Sequence, residues 1–236
     1  MQTFSAKQAR TLVDLCLTAE TSGQQLLLKE EEGELYAAFR AGGDPAEPLN
    51  VHGTKTPQGI PFGRGTGYGP LVEAYLDAVA GKLGALAAKR VWLTGHGIGG
   101  VFALLAAAEL LVEGADIAAV YTFGAPRVGD SQFVNALACP IFRVVNNLDV
   151  MATIPPPWRW RHAGQHILIN ADGSLNLHPN PLNRLPSLLR QTAWLGEMLL
   201  QGLASGYPRA LHTLLNQVLA DHALESYRNR IHALTE

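Results

Sequence analysis

The stretch RVWLTGHGIGGVFALLAAAE, Arg90 to Glu109, is the part of the chain most able to carry chemistry. A β-branched and aromatic run ends in glycine, turns, and becomes an apolar helix, which is the outline of a nucleophile elbow. Such an elbow reads Gly-x-Ser-x-Gly; here the five residues are Gly95, His96, Gly97, Ile98 and Gly99. The outer glycines let strand and helix approach closely, and the middle residue takes strained backbone angles so that its side chain stands exposed. Gly97 offers no side chain at the position of the nucleophile. A glycine-rich strand-to-helix turn also suits a phosphate group, and Gly95, Gly97 and Gly100 match the dinucleotide pattern Gly-x-Gly-x-x-Gly. That pattern needs an acidic residue about 20 positions on, at the end of the next strand. Asp116 is near that distance but precedes the next apolar run, so the nucleotide reading stays as the weaker alternative.

Other reactive residue types give less. Cys16 and Cys139 are too few and too far apart for a disulfide framework or a metal site of their own, and read as two buried thiols. His52, His166, His178, His212 and His232 show no metal-ligand spacing with carboxylates or thiols, so neither metal nor cofactor is expected. The charges nearly cancel, at −2 overall, which argues against a nucleic-acid partner.

The elements that would position the turn alternate. QQLLLKEEEGELYAAFRAG reads as a hairpin turning at Glu30–Gly33. Then follow a helix in PLVEAYLDAVAGKLGALAAKR, strand RVWLTG, helix GVFALLAAAELLVEG, strand AAVYTFGAP, helix DSQFVNALA and strand IFRVVNN. Strands alternating with helices imply parallel βαβ units, and near-continuous apolar strands imply a sheet covered on both faces. The N-terminus reads as an amphipathic helix, with Ala9, Leu12, Val13, Cys16 and Leu17 on one face and Ser5 and Gln8 as a capping box. Asp14 argues against a signal peptide, so a cytoplasmic location is the expectation. No apolar run reaches the roughly 18 residues of a membrane span. Gly42–Gly69 is a long Gly/Pro-rich loop with one short strand near LNVHGT, and 186–204 and 211–219 are Leu-rich helices. These segments suit a lid or a lipid-facing surface, or simply core. With 236 residues and no internal boundary, residues 1–236 form one domain.

AFRAG, LTGHGIGGVFALLAA, YTFGAPRVGD, FRVVNNLDVMATIPP, RHAGQHI and DHALESY occur in that order. Together they resemble the class 3 lipase family, the triacylglycerol lipase and phospholipase A1-like α/β-hydrolases. The resemblance runs from about Gln24 to Tyr227. It implies an α/β-hydrolase fold: a mostly parallel central sheet, helices on both faces, and a helical insertion before the histidine. It implies carboxylic ester hydrolysis on acyl-glycerol or phospholipid acyl esters through a Ser-Asp-His triad, with a lipid or small acyl ester as substrate and a lipid interface.

By the resemblance Asp149 is the triad acid and His222 the base, and the order Gly97, Asp149, His222 fits the α/β-hydrolase order. On their own, Asp149 would read as a helix or turn cap and His222 as a surface histidine capped by Asp221. The oxyanion hole implied is the backbone N–H of Ile98 with that of Gly42, Ala41 being the competing choice. His96, His162 and Arg127 read as structural. Trp158 and Trp160 suit an acyl pocket or a brace for the polyproline turn. The chain departs from the family pattern at Gly97, where serine is expected, and in the loop after Arg40, where Ala41 and Gly42 stand. The acyl-enzyme route is therefore closed. Retention of both Asp149 and His222 favours an engineered Ser→Gly change; the alternative is a natural, non-catalytic lipid-binding homologue.

Overall fold

The computed structural model describes residues 2–40, 81–154, 157, 160–179 and 220–234. The first helix, α1 (Ala6–Ser22), is amphipathic as its spacing requires: Ala9, Leu12, Val13 and Cys16 are buried, and Gly23 closes it in the left-handed region. Half of the expected capping box forms. Ser5 Oγ accepts the Gln8 N–H at 3.2 Å, but the Ser5 N–H goes to the Tyr121 phenol oxygen at 3.1 Å. The helix start is thereby pinned to the middle of the sheet instead of to its own side chain.

Strands β1 (Leu26–Glu31) and β2 (Glu34–Phe39) form the expected antiparallel hairpin. Its loop is two residues, Glu32 and Gly33, both at positive φ, the pattern of a type I′ turn. From β2 the sheet proceeds in sequence order through β3 (Val91–His96), β4 (Ile117–Phe123), β5 (Ile141–Asn146) and β6 (Gln165–Ile169), all parallel, to a short antiparallel edge, β7 (Leu175–Asn176). The mostly parallel seven-stranded sheet is that of an α/β-hydrolase fold. Strands β6 and β7 are additions to the sequence reading, being too short to announce themselves.

Between strands lie α2 (Leu83–Ala87), α3 (Ile98–Val112) and α4 (Ser131–Ala136), and α5 (Leu224–Ala233) ends the described chain. Of the helix expected across PLVEAYLDAVAGKLGALAAKR, residues 70–80 lie outside the described residues; within the rest, α2 follows Gly81, which stands at φ 71. Asp130 caps α4 by accepting the Phe133 N–H at 3.0 Å. The loop 42–69 and the Leu-rich segments 186–204 and 211–219 lie outside the described residues, as do Ala41, Gly42 and Trp158.

The alternation of each strand divides the core in two. Leu35, Ala37, Phe39 and Leu93 pack with α3 on one face; Tyr36, Ala38, Trp92, Tyr121 and Phe142 pack with α1 and α5 on the other. A bulge opposite Val91–Trp92 turns both Ala118 and Ala119 toward the α1 face. Helix α3 is buried from Gly99 to Leu110, as its apolar sequence demands. Trp160, 7% exposed, belongs to the α3-side core with Val128 and Phe133. Among the described residues no helix is long and apolar enough to cross a membrane.

Candidate active site

The β3–α3 turn has the elbow geometry that its glycines suggest. Gly97 sits at φ 53, ψ −122, well outside the usual regions for a residue with a side chain. Its neighbours have no room for one. A Cβ on Gly95 would lie 2.1 Å from the carbonyl oxygen of Gly99, and a Cβ on Gly99 would lie 2.1 Å from that of Phe39. Gly100 closes on Ala125 and Thr122 of the neighbouring strand and its loop. Asp116, the acidic partner a dinucleotide site would need, lies at the start of β4, beside Arg90 and at the opposite end of the strand from the turn.

What the turn faces instead is His222. A Cβ built on Gly97 would stand 3.3 Å from His222 Nε2 and 3.5 Å from its Cε1. On the other side of the ring, His222 Nδ1 lies 2.9 Å from Asp149 Oδ2. Because a carboxylate only accepts, Nδ1 donates, and the neutral ring presents its lone pair at Nε2 toward position 97. Sequence-distant Gly97, Asp149 and His222 are thus brought into one line. Ile98 supplies the first N–H of α3 beside them, at the positive end of the helix.

Asp149 is 1% exposed and lies just past β5. Its Oδ1 accepts the N–H of Met151 at 2.9 Å and of Ala152 at 3.4 Å, capping the 3₁₀ turn Met151–Thr153. The turn-cap reading of Asp149 is therefore true of one oxygen, while the other meets the histidine. Arg127 braces the same turn: its backbone N–H donates to the Ile154 carbonyl at 2.8 Å, and its guanidinium donates to the Thr153 carbonyl. That supports the structural reading of Arg127.

His222 is not held by Asp221. The Asp221 carboxylate accepts from Asn147 Nδ2 at 2.9 Å and pairs with Arg230 at 3.7 Å, and its backbone carbonyl accepts from Asn146 Nδ2 at 2.9 Å. Asp221 thus clamps the segment carrying the histidine to the end of β5.

Three partners of this group were not legible as such in the sequence. The Tyr227 hydroxyl, fully buried on α5, donates to Asp149 Oδ2 at 2.6 Å and accepts the Asn146 N–H at 3.0 Å. Burial, then the Asp149 charge, push its phenol well above its ordinary range, so it remains a donor. Gly124, at φ 64, leaves the space these groups occupy. A Cβ there would lie 2.6 Å from Asp149 Oδ2 and 3.0 Å from both His222 Nδ1 and the Tyr227 oxygen. Glu20 of α1 lies 3.2 Å from His96 Nδ1, while His96 Nε2 donates to the His222 carbonyl at 2.6 Å. The hydrogen bond from His96 holds the Glu20 carboxyl below its usual range. The only forewarning was position: Tyr227 ends DHALESY, Gly124 lies in YTFGAPRVGD, and His96, the partner of Glu20, lies within the elbow.

Among the described residues no group of three or more His, Cys, Asp or Glu could hold a metal ion. Both cysteines are free; burial pushes the Cys16 thiol up to about 12 and that of Cys139 to about 11.

Residues 66–158 match the family described as Lipase (class 3). The lipase of Rhizomucor miehei is 33% identical over 159 residues, which cover 59% of this chain and 43% of that protein. The chain resembles the class 3 lipase family. A further relative is the chloroplastic phospholipase A1-Igamma1 of Arabidopsis thaliana, 27% identical over 188 residues covering 64% of this chain and 35% of that one. The chain thus spans less than half the length of these relatives. Among solved structures, the triacylglyceride lipase of Rhizomucor miehei aligns with a TM-score of 0.53 at 20% identity, covering 72% of this chain and 82% of that one. The mono- and diacylglycerol lipase of Aspergillus oryzae aligns at 0.55 with 15% identity, covering 76% and 87%. At these identities the structural likeness is one of fold.

Proposed function

We propose that this chain carries the site of a carboxylic ester hydrolase acting on acyl-glycerol or phospholipid acyl esters, with Gly97 in the place of its nucleophilic serine. One observation carries the reading. The direction a side chain would take from Gly97 ends 3.3 Å from the Nε2 of a histidine whose Nδ1 is bound to a buried carboxylate. With serine at 97, His222 would take the hydroxyl proton as Oγ attacks the ester carbonyl, and Asp149 would hold the ring in the required tautomer and stabilise the imidazolium. The Ile98 N–H, with that of Gly42, would take the oxyanion. The substrate class rests on relatives named as lipases and a phospholipase A1. The buried, fully hydrogen-bonded Asp149 and its histidine support reading position 97 as a Ser→Gly replacement, made by engineering, in a site that keeps its acid and its base.

The test is Gly97→Ser, shown to be folded by circular dichroism, assayed on triacylglycerol, diacylglycerol, phosphatidylcholine and short p-nitrophenyl esters. Hydrolysis well above buffer on at least one acyl ester is expected. Background rates on all of them would replace this reading with that of a non-catalytic lipid-binding relative.

A further inference from the structure

We propose that the chain with Gly97 in place is itself a catalyst of acyl transfer by single displacement: His222 activates a water or a methanol-sized alcohol lodged where the serine side chain would stand. The inference rests on the ester-hydrolase reading of the site and adds to it an activity that needs no protein nucleophile.

Glycine and serine differ by a hydroxymethyl group, whose free form is methanol. Among the described residues, the atoms within 4 Å of a Cβ on Gly97 are Nε2 and Cε1 of His222. The space left by the missing side chain is therefore bounded by the base itself. The base does not depend on a serine for its placement. Its Nδ1 is fixed by Asp149 at 2.9 Å, and its backbone carbonyl by His96 at 2.6 Å. Asp149 is fixed in turn by Tyr227 at 2.6 Å and the Met151 N–H at 2.9 Å. None of these contacts involves position 97. The pair is thus preorganised to deprotonate whatever hydroxyl lies at Nε2, and the Ile98 N–H is a backbone donor that the glycine leaves in place.

The step balances without further reactants. The oxygen of water attacks the ester carbonyl carbon while Nε2 takes one of its protons. The carbonyl π pair moves onto its oxygen beside the Ile98 N–H. On collapse the bond to the leaving oxygen breaks and that oxygen takes the proton from Nε2. Ester and water give acid and alcohol; ester and methanol give methyl ester and alcohol. His222 ends as it began, and no acyl-enzyme forms.

The experiment uses the unaltered chain with p-nitrophenyl butyrate, beside His222→Ala and the shape-conserving His222→Gln, all checked for native circular dichroism. Added methanol, ethanol and tert-butanol probe the space. Expected are a nitrophenol release about 100-fold faster than in either histidine variant, the scale of general-base catalysis, and no burst. The intact protein mass should stay unchanged. Methanol should raise the rate and yield methyl butyrate, while tert-butanol should do neither. Equal rates in the unaltered and both histidine variants would overturn the proposal, as would a butyryl adduct on the unaltered chain. If Gly97→Ser is active while the unaltered chain stays at the buffer rate, the single-displacement route alone fails. If both stay at background, the ester-hydrolase reading fails with it.

Discussion

Replacing Gly97 by serine should destabilise the fold while supplying the missing hydroxyl. The backbone at 97 is held at φ 53, ψ −122 by its neighbours, because Gly95 and Gly99 are packed against backbone atoms and the turn cannot relax. A residue with a side chain held in such a region loses about 1–3 kcal/mol. Against this, serine restricts the unfolded chain and recovers about 0.4–1 kcal/mol. A hydrogen bond to His222 returns about 0.5–1.5 kcal/mol net, and the Cβ approach of 3.3 Å to Nε2 consumes part of that gain. The strain is the largest of these, leaving Gly97→Ser about 1 kcal/mol less stable. For a chain of this size that is a drop in Tm of about 2–4 °C. Urea unfolding followed by circular dichroism and tryptophan fluorescence measures it, two-state behaviour being checked by coincidence of the two probes. Gly97→Ala, which carries the strain without the hydroxyl, should be the least stable of the three. A serine form as stable as the glycine form, or more so, would refute the strain argument and with it the elbow geometry.

Tyr227→Phe removes a buried donor to Asp149 and strands the Asn146 N–H, so stability should fall by about 1–3 kcal/mol and, in the Gly97→Ser form, kcat should fall with KM little changed. Denaturant unfolding and steady-state kinetics read the two effects. Gly99→Ala forces a Cβ to within 2.1 Å of the Phe39 carbonyl oxygen; backbone must move, and a loss of about 3 kcal/mol or more, or insoluble expression, is expected. The Glu20 carboxyl is held down chiefly by its hydrogen bond from His96, with the charges of His96, Arg40 and His222 adding to it. Its contribution is therefore present above the unfolded carboxylate range and lost as pH falls through the lower folded value. Unfolding curves between pH 6 and pH 3 should show a shallower acid loss in Glu20→Gln than in the unaltered chain.

Most of the fold could be read from periodicity. The α1 stripe, the hairpin and the alternation from β3 to β5 all follow from residue spacing, because each element buries a face set by its own local repeat. Strands β6 and β7 escaped because five and two residues carry too little pattern, and their place is set by pairing with β5. The candidate site was legible through motifs more than through residues. Taken alone, Asp149 and His222 had plainer explanations, and for Asp149 the plainer one also holds. Tyr227, Gly124 and Glu20 could not be assigned from sequence because their roles exist only where α5 and the loop after β4 meet Asp149 and His222, and where α1 meets the neighbouring His96. The half-formed capping box has the same origin, a tertiary partner displacing a local one.

The most direct test of a Ser-Asp-His site at Gly97, Asp149 and His222 is covalent labelling of Gly97→Ser with an alkyl fluorophosphonate, followed by mass spectrometry. The site account predicts a single phosphonyl adduct located at position 97, formed rapidly at neutral pH. It also predicts that adding His222→Ala to Gly97→Ser slows labelling by at least about 100-fold, the scale of the general base. An unlabelled, natively folded Gly97→Ser protein, or an adduct whose rate is indifferent to His222, would contradict it.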